Sequence, residues 1–208
     1  MKKIAVLIIS LLSLTSEVLA ADKGLGIRVG LAANDPKTLE EYYNSAFDRG
    51  FSEAELTKGK SIIGLEALEE WEVSDEINKV GVKLGFDLYG NNNLSLDQGY
   101  AKVKEISYAV PLTVYYKQDL GIKRLSWFIG GGVSLIKTKV TLTEPGVRES
   151  YSKHKFFPHI TAGVEYRINE MFGVGLDGKY NIKAKTERYG YTSDRSGLSA
   201  AVTARYYF

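Results

Sequence analysis

Eight stretches of this chain alternate apolar and polar side chains with a period of two, as strands do when their two faces meet different surroundings. Lys79–Tyr89 is the clearest: Val80, Val82, Leu84, Phe86 and Leu88 face one way, and Gly81, Lys83, Gly85, Asp87 and Tyr89 the other. Gly24–Ala33, Val103–Lys117, Leu125–Lys139, Phe156–Arg167, Phe172–Lys183 and a final strand running from Leu198 to Phe208 repeat the pattern. Ser61–Val73 is the weakest, because its core Leu65-Glu66-Ala67-Leu68-Glu69-Glu70 also suits a short helix. In each segment the second face is mostly small, polar or charged, so only about half of the strand is apolar. The run Gly130-Gly131-Gly132 predicts a place where neighbouring strands bend or approach closely.

The links between these strands alternate in length. Ser74–Asn78, Gln118–Arg124 and Ile168–Met171 are short, whereas Asn34–Lys60, Gly90–Lys102, Val140–Lys155 and Ala184–Ser196 are longer. The first long link has helical character around Thr38–Arg49. Met1-Lys2-Lys3, the apolar run Ile4–Leu14 and the small residues of Val18-Leu19-Ala20 read as a secretory signal over 1–20, cleaved before Ala21. The remaining domain, 21–208, contains no second long apolar run. A membrane can then be crossed only by strands closed into a barrel, which satisfies its own backbone hydrogen bonds in lipid. The fold expected is all-β: an eight-stranded antiparallel transmembrane β-barrel, an up-and-down meander, with short turns on the periplasmic side and long loops outside.

Composition supports this and excludes other classes. Without Lys2, Lys3 and Glu17, the 27 basic and 25 acidic residues become 25 and 24, a net charge of about +1 that makes no electrostatic case for nucleic acid. Cysteine is absent, which removes disulfides and thiolate metal sites. The 21 glycines and 14 tyrosines suit tight inward packing and interfacial aromatics. Trp71, Tyr89, Tyr108, Tyr116, Trp127, Phe156, Tyr166, Phe172, Tyr180, Tyr206 and Phe208 lie at strand ends, where girdles are expected.

The last strand alternates Leu198, Ala200, Val202, Ala204, Tyr206 and Phe208 against Gly197, Ser199, Ala201, Thr203, Arg205 and Tyr207. It resembles the C-terminal strand of Gram-negative outer-membrane barrels. The resemblance implies that Tyr206 and Phe208 form a signal read by the barrel-assembly machinery. Val110-Pro-Leu-Thr-Val-Tyr-Tyr116, Phe128-Ile-Gly-Gly-Gly-Val133 and Ala162-Gly-Val-Glu-Tyr-Arg167 are similar to the small, porin-like outer-membrane β-barrel superfamily. The likeness is good over 79–208 and poor over 21–78. It implies a location in the cell outer membrane and contacts with its lipid and lipopolysaccharide. It does not choose among anchors, adhesins, narrow channels and the few lipid-modifying enzymes of that superfamily.

Charged side chains on inward positions are the most informative candidates. Arg28, Lys83, Lys117, Arg167, Lys179, Lys183 and Arg205 face Glu66, Glu70, Asp87, Glu105, Glu165 and Asp177. Isolated buried charges are costly, so a lumen this narrow should pair them. The first expectation is a filled, salt-bridged core; the rival is a gated pore whose charges line a path for small solutes. Gly173-Val-Gly-Leu-Asp-Gly178 fits a dinucleotide fingerprint but lies inside a strand, where small lumen-facing residues explain it. His154 and His159 are the only histidines, and their odd spacing puts them on opposite faces. A metal site is not expected, nor any cofactor. His159 reads as part of a lumen hydrogen-bond network, with a lipid-hydrolysing base as the sharper rival. Lys139, Arg148, Lys153, Lys155, Lys185, Arg188 and Arg195 give the last two long links a mild basic excess over Glu144, Glu149, Glu187 and Asp194, suited to lipopolysaccharide phosphates or another external ligand. The expected protein is a monomer without enzymatic activity, serving envelope integrity or surface contact.

Overall fold

The computed structural model describes residues 21–32, 37–44, 48, 50–74, 78–188 and 191–208. The expected signal segment 1–20 lies outside them, as do parts of the first and last long links. The described residues form strands β1 Ala21–Ala32, β2 Ala54–Thr57, β3 Ser61–Ser74, β4 Asn78–Tyr89, β5 Asn92–Leu96, β6 Ala101–Asp119, β7 Leu125–Glu144, β8 Val147–Arg167, β9 Phe172–Asn181, β10 Lys185–Arg188, β11 Tyr191–Asp194 and β12 Gly197–Tyr207, with helix α1 at Lys37–Asn44.

Eight of the strands close into an antiparallel ring in the order β1-β3-β4-β6-β7-β8-β9-β12 and back to β1. Closure removes every sheet edge within the membrane. The weak segment is a strand because its partners accept it as one. Leu65 lies in register between Ile27 of β1 and Phe86 of β4, all three pointing outward, while Glu66 enters the lumen. A helix there would break both ladders.

The outward residues Ile27, Val29, Leu31, Ile63, Leu65, Val114, Ile129, Ile160, Leu176 and Val202 are all exposed. An apolar surface of this extent is unfavourable in water and is the lipid-facing belt of the barrel. Its periplasmic rim carries Tyr116 against Trp127 at 5.9 Å and Phe172 against Tyr206 at 5.3 Å; Phe86 meets Tyr108 at 5.7 Å nearer the other rim. The expected girdle needs one correction: Tyr89 points inward and is buried at the top of the lumen. Lys183, expected inward, is exposed, because φ turns positive there as the chain leaves β9.

Glycine spacing explains the narrow interior. A Cβ on Gly132 would stand 1.9 Å from the carbonyl oxygen of Leu112, so only hydrogen lets β7 coil this closely against β6. A Cβ on Gly81 would enter the Tyr115 ring at 2.5 Å, and its absence lets that ring lie across the lumen.

Outside the membrane the links are more ordered than their sequence suggests. The link expected at Val140–Lys155 is the continuation of β7 and β8, which pair from Leu125↔Tyr166 to Glu144↔Val147, the chain turning through Gly146 at positive φ. Within Gly90–Lys102, β5 adds to the outer part of β6, and β2 adds to β5. The result is a five-stranded extracellular sheet, β2-β5-β6-β7-β8. Against it Leu39 of α1, as expected a helix, is fully buried with Leu94, Leu96, Ala101 and Val140. The last long link folds into the β10–β11 hairpin.

Candidate functional site

The lumen is where alternation delivers its polar side chains. Five carboxylates, Glu66, Glu70, Asp87, Glu165 and Asp177, are buried there with five cations, Arg28, Lys83, Lys117, Lys179 and Arg205. Nearest the periplasm, Tyr207 donates to both oxygens of Glu165 at 2.8 Å, and Lys117 donates to Glu165 at 2.8 Å and to Glu70 at 3.1 Å. Tyr115 donates to Glu70 at 2.7 Å. Arg167 stands half-buried at this mouth, donating to Glu165 at 3.2 Å and Asp22 at 3.3 Å.

One level up, Arg205 holds three acids at once: Nε to Glu66 at 2.6 Å, Nη1 to Glu165 at 2.5 Å and Nη2 to Asp177 at 2.9 Å. Lys83 crosses the lumen to Asp177 at 3.0 Å, and Lys179 crosses the other way to Asp87 at 2.6 Å. Arg28 lies 3.5 Å from Asp87. Paired in this way, ions whose burial would cost several kcal/mol each are offset by near neighbours of opposite sign. The gap bounded by Glu70, Lys83, Tyr115, Lys117, Phe128, Glu165 and Arg205 admits no water molecule.

Above the ions His159 is 2% exposed and hydrogen-bonded through both ring nitrogens, to Thr113 at 2.8 Å and Ser134 at 2.9 Å. This is the lumen role expected for it. A lipid-hydrolysing base would need to meet lipid, and His159 faces away from it. A layer of Ala32, Ile62, Tyr89, Ala109, Ile136, Phe157 and Ala184 then closes the upper lumen with apolar side chains. Beyond it Glu105 accepts from Arg195 at 3.0 Å and Ser193 at 2.8 Å, fastening the end of the β10–β11 hairpin into the mouth.

Of the charged residues singled out in the sequence, the structure brings Arg28, Lys83, Asp87, Glu165, Asp177, Lys179 and Arg205 into one network with Glu66, Glu70 and Lys117. Arg167 joins it from the periplasmic mouth. Glu105 belongs to the separate upper cluster. Sequence reasoning missed the role of Arg195, which sits in a link without periodicity and looks like loop charge. It also gave no task to Tyr115 and Tyr207, although both occupy inward positions of their strands and that signal was available. Tyr206 and Phe208 point outward at the periplasmic end, their rings 6.1 Å apart.

A polar recess of about 410 Å³, lined by Asp22, Lys79, Asp119, Arg124 and Arg167, opens to the periplasm and reaches Lys117. The recess ends at Lys117, and the gap beyond it, between Glu70, Glu165 and Arg205, has no room for a water molecule. The arrangement can hold a barrel rigid and closed.

No curated protein matches the chain significantly. Among solved structures it is similar to Ail of Yersinia pestis in complex with the heparin analogue sucrose octasulfate, with 12% identity, TM-score 0.52 and coverage of 91% of this chain and 100% of that one. It is similar to Neisserial surface protein A, with 10% identity, TM-score 0.51 and coverage of 90% and 97%. A major outer membrane protein of Thermus thermophilus matches with 14% identity, TM-score 0.52 and coverage of 91% and 100%. At these identities the likeness is one of fold. The family model of the outer membrane protein beta-barrel domain matches residues 4–208. A closed ring with an apolar outer belt and a polar interior is what that family requires, and the chain belongs to it, as a protein of the cell outer membrane.

Proposed function

We propose that this protein is a non-enzymatic, sealed membrane anchor whose extracellular sheet and cap serve contact at the cell surface or envelope integrity. One observation carries the reading: Lys83 and Lys179 each span the lumen to an acid on the opposite wall, at 3.0 and 2.6 Å. Lysine chains that bridge the bore obstruct it, and the gap beside Lys83 has no room for a water molecule. The strands meanwhile continue past the membrane into a five-stranded sheet that sealing does not require.

The partner favoured at that sheet is anionic. Ail has been crystallised with a sulfated sugar analogue, and the outer sheet of this chain exposes Lys102, Lys104, Lys139 and Arg148. The apolar belt around the barrel supports a monomer in lipid. Tyr206 and Phe208, at the exposed end of β12, are the residues we assign to the barrel-assembly machinery.

Planar-bilayer recording of the refolded protein tests the reading. Folded protein should give no reproducible current steps. Stable unitary steps would overturn it and establish the narrow channel for small solutes instead.

A further inference from the structure

We propose that the recess at the periplasmic mouth binds a free diamino acid of lysine's length, its carboxylate on Arg124 and its two ammonium groups on Asp119 and Glu170. The inference stands apart from the anchor reading, because the recess ends at Lys117, below the ion network that closes the lumen.

The recess, of about 410 Å³, has room for such a ligand. Its charged side chains divide into two sets. One set is already spent inside the barrel: Asp22 takes Lys79 at 2.8 Å and Arg167 at 3.3 Å, and Lys117 is held by Glu165 at 2.8 Å and Glu70 at 3.1 Å. The other set is Asp119, Arg124 and Glu170, which stand exposed around the opening. Among the described residues these three make no ion pair. Two acids and one base without partners are complementary to an occupant with two cations and one anion.

The backbone holds this second set in place. Arg124 has φ at 70°, in the left-handed region that a residue with a Cβ rarely adopts. Its guanidinium reaches across the ends of β7 and β8, where Nη1 donates to the Ile168 carbonyl at 2.7 Å. The turn it meets is tied in its own right. Asn169 Oδ1 accepts from the Met171 and Phe172 amides at 2.9 and 2.8 Å, and Arg167 donates to the Glu170 carbonyl at 3.2 Å. Around the ring the free charges therefore come in the order acid, base, acid, from the end of β6 through the start of β7 to the turn after β8. Backbone strain kept beside a polar cavity is a mark of a binding site.

Spacing identifies the class of ligand. Strand β7 separates β6 from β8, so about 10 Å lies between the strand that carries Asp119 and the one that leads into Glu170. Ammonium groups hydrogen-bonded one to each acid then stand roughly 5–7 Å apart, the separation of the two amines of lysine. The α-carboxylate beside one of them meets Arg124. A plain anion would face two uncompensated acids, and a plain diamine would leave Arg124 unpaired.

The test titrates L-lysine into isotope-labelled, refolded protein in detergent at low ionic strength and follows the amide shifts of Arg124, Asn169 and Glu170. Saturable binding in the millimolar range is expected, with cadaverine, which lacks the carboxylate, and Nε-acetyl-lysine, which lacks the distal charge, both weaker. Asp119→Asn and Glu170→Gln should each weaken lysine binding about threefold. Arg124→Gly should weaken lysine equally and leave cadaverine unchanged. The glycine variant should unfold at the same or a higher urea concentration, since glycine takes this φ freely, which separates loss of binding from loss of fold. Lys137→Gln, on the far side of the membrane, should change nothing. Absence of saturation, or variants that bind lysine as the wild type does, would overturn the proposal. Cadaverine binding as tightly as lysine would also overturn it, making the recess a plain diamine site. None of these outcomes bears on whether the lumen conducts.

Discussion

Lys83 and Asp177 lie 94 residues apart in sequence and 3.0 Å apart in the lumen, on strands β4 and β9 that face each other across the ring. The same two strands exchange a second pair in reverse, Lys179 to Asp87 at 2.6 Å. Two cross-bore struts between opposite walls tie the barrel against both widening and shear. Eight strands leave an interior only as wide as its side chains, and here those side chains are ions that neutralise one another.

Asp177→Asn should destabilise the protein by about 3 kcal/mol, because it takes from Lys83 its nearer acid, leaving only Glu66 at 3.6 Å, and leaves one arm of Arg205 without a carboxylate in a buried site. Replacing the pair together, Lys83→Met with Asp177→Leu, should recover the part of that loss that comes from Lys83, while Arg205 still lacks the acid for its Nη2 arm. Urea-unfolding midpoints in phospholipid vesicles read both. A double variant no more stable than Asp177→Asn would show that the strut is not the source of the effect.

Gly132→Val should abolish barrel formation, since even its Cβ would overlap the Leu112 carbonyl at 1.9 Å. Gly131→Ala, one residue away, meets its nearest neighbour at 3.2 Å on the outward side and should fold with a small adjustment. Heat-modifiable migration of the refolded variants distinguishes them. A folded Gly132→Val barrel would contradict the close approach of β6 and β7.

Asp97 gives the extracellular cap a pH limit. The Glu53 amide, donating at 2.9 Å, and the Ser52 hydroxyl and amide, at 2.9 and 2.7 Å, stabilise its carboxylate and hold its pKa below the ordinary 3.8. A group depressed in the folded state contributes its stabilisation above its unfolded pKa and loses it as pH falls through the folded value. The tie between residues 52–53 and the end of β5 should therefore hold at pH 5 and release only below 3.8. Amide shifts of Ser52 and Glu53 should titrate in that range in the wild type and stay flat in Asp97→Asn. A wild-type midpoint at or above 3.8 would refute it.

The strands and the faces of their residues were readable from order alone, because a side chain's direction on a strand depends only on its position in a period of two. That is why Arg28, Lys83, Asp87, Glu165, Asp177, Lys179 and Arg205 could be assigned to the interior together, and why Leu65 and Ile63 could be assigned to the exterior. Partnership is different. Whether Lys83 meets Asp177 or another acid depends on how far each strand is staggered around the ring, a quantity that closure determines. Tertiary structure likewise decided that Leu65–Glu70 is strand, since both neighbouring ladders need it, and that Arg195 reaches back from a loop to Glu105. It decided that Gly90–Lys102 and Val140–Lys155 extend the sheet, their polar residues on both faces hiding the strand pattern once the chain leaves lipid. Local alternation thus determined which residues line the barrel, and only the closed ring determined which of them touch, because contacts across a lumen are set by register and curvature that no single strand carries.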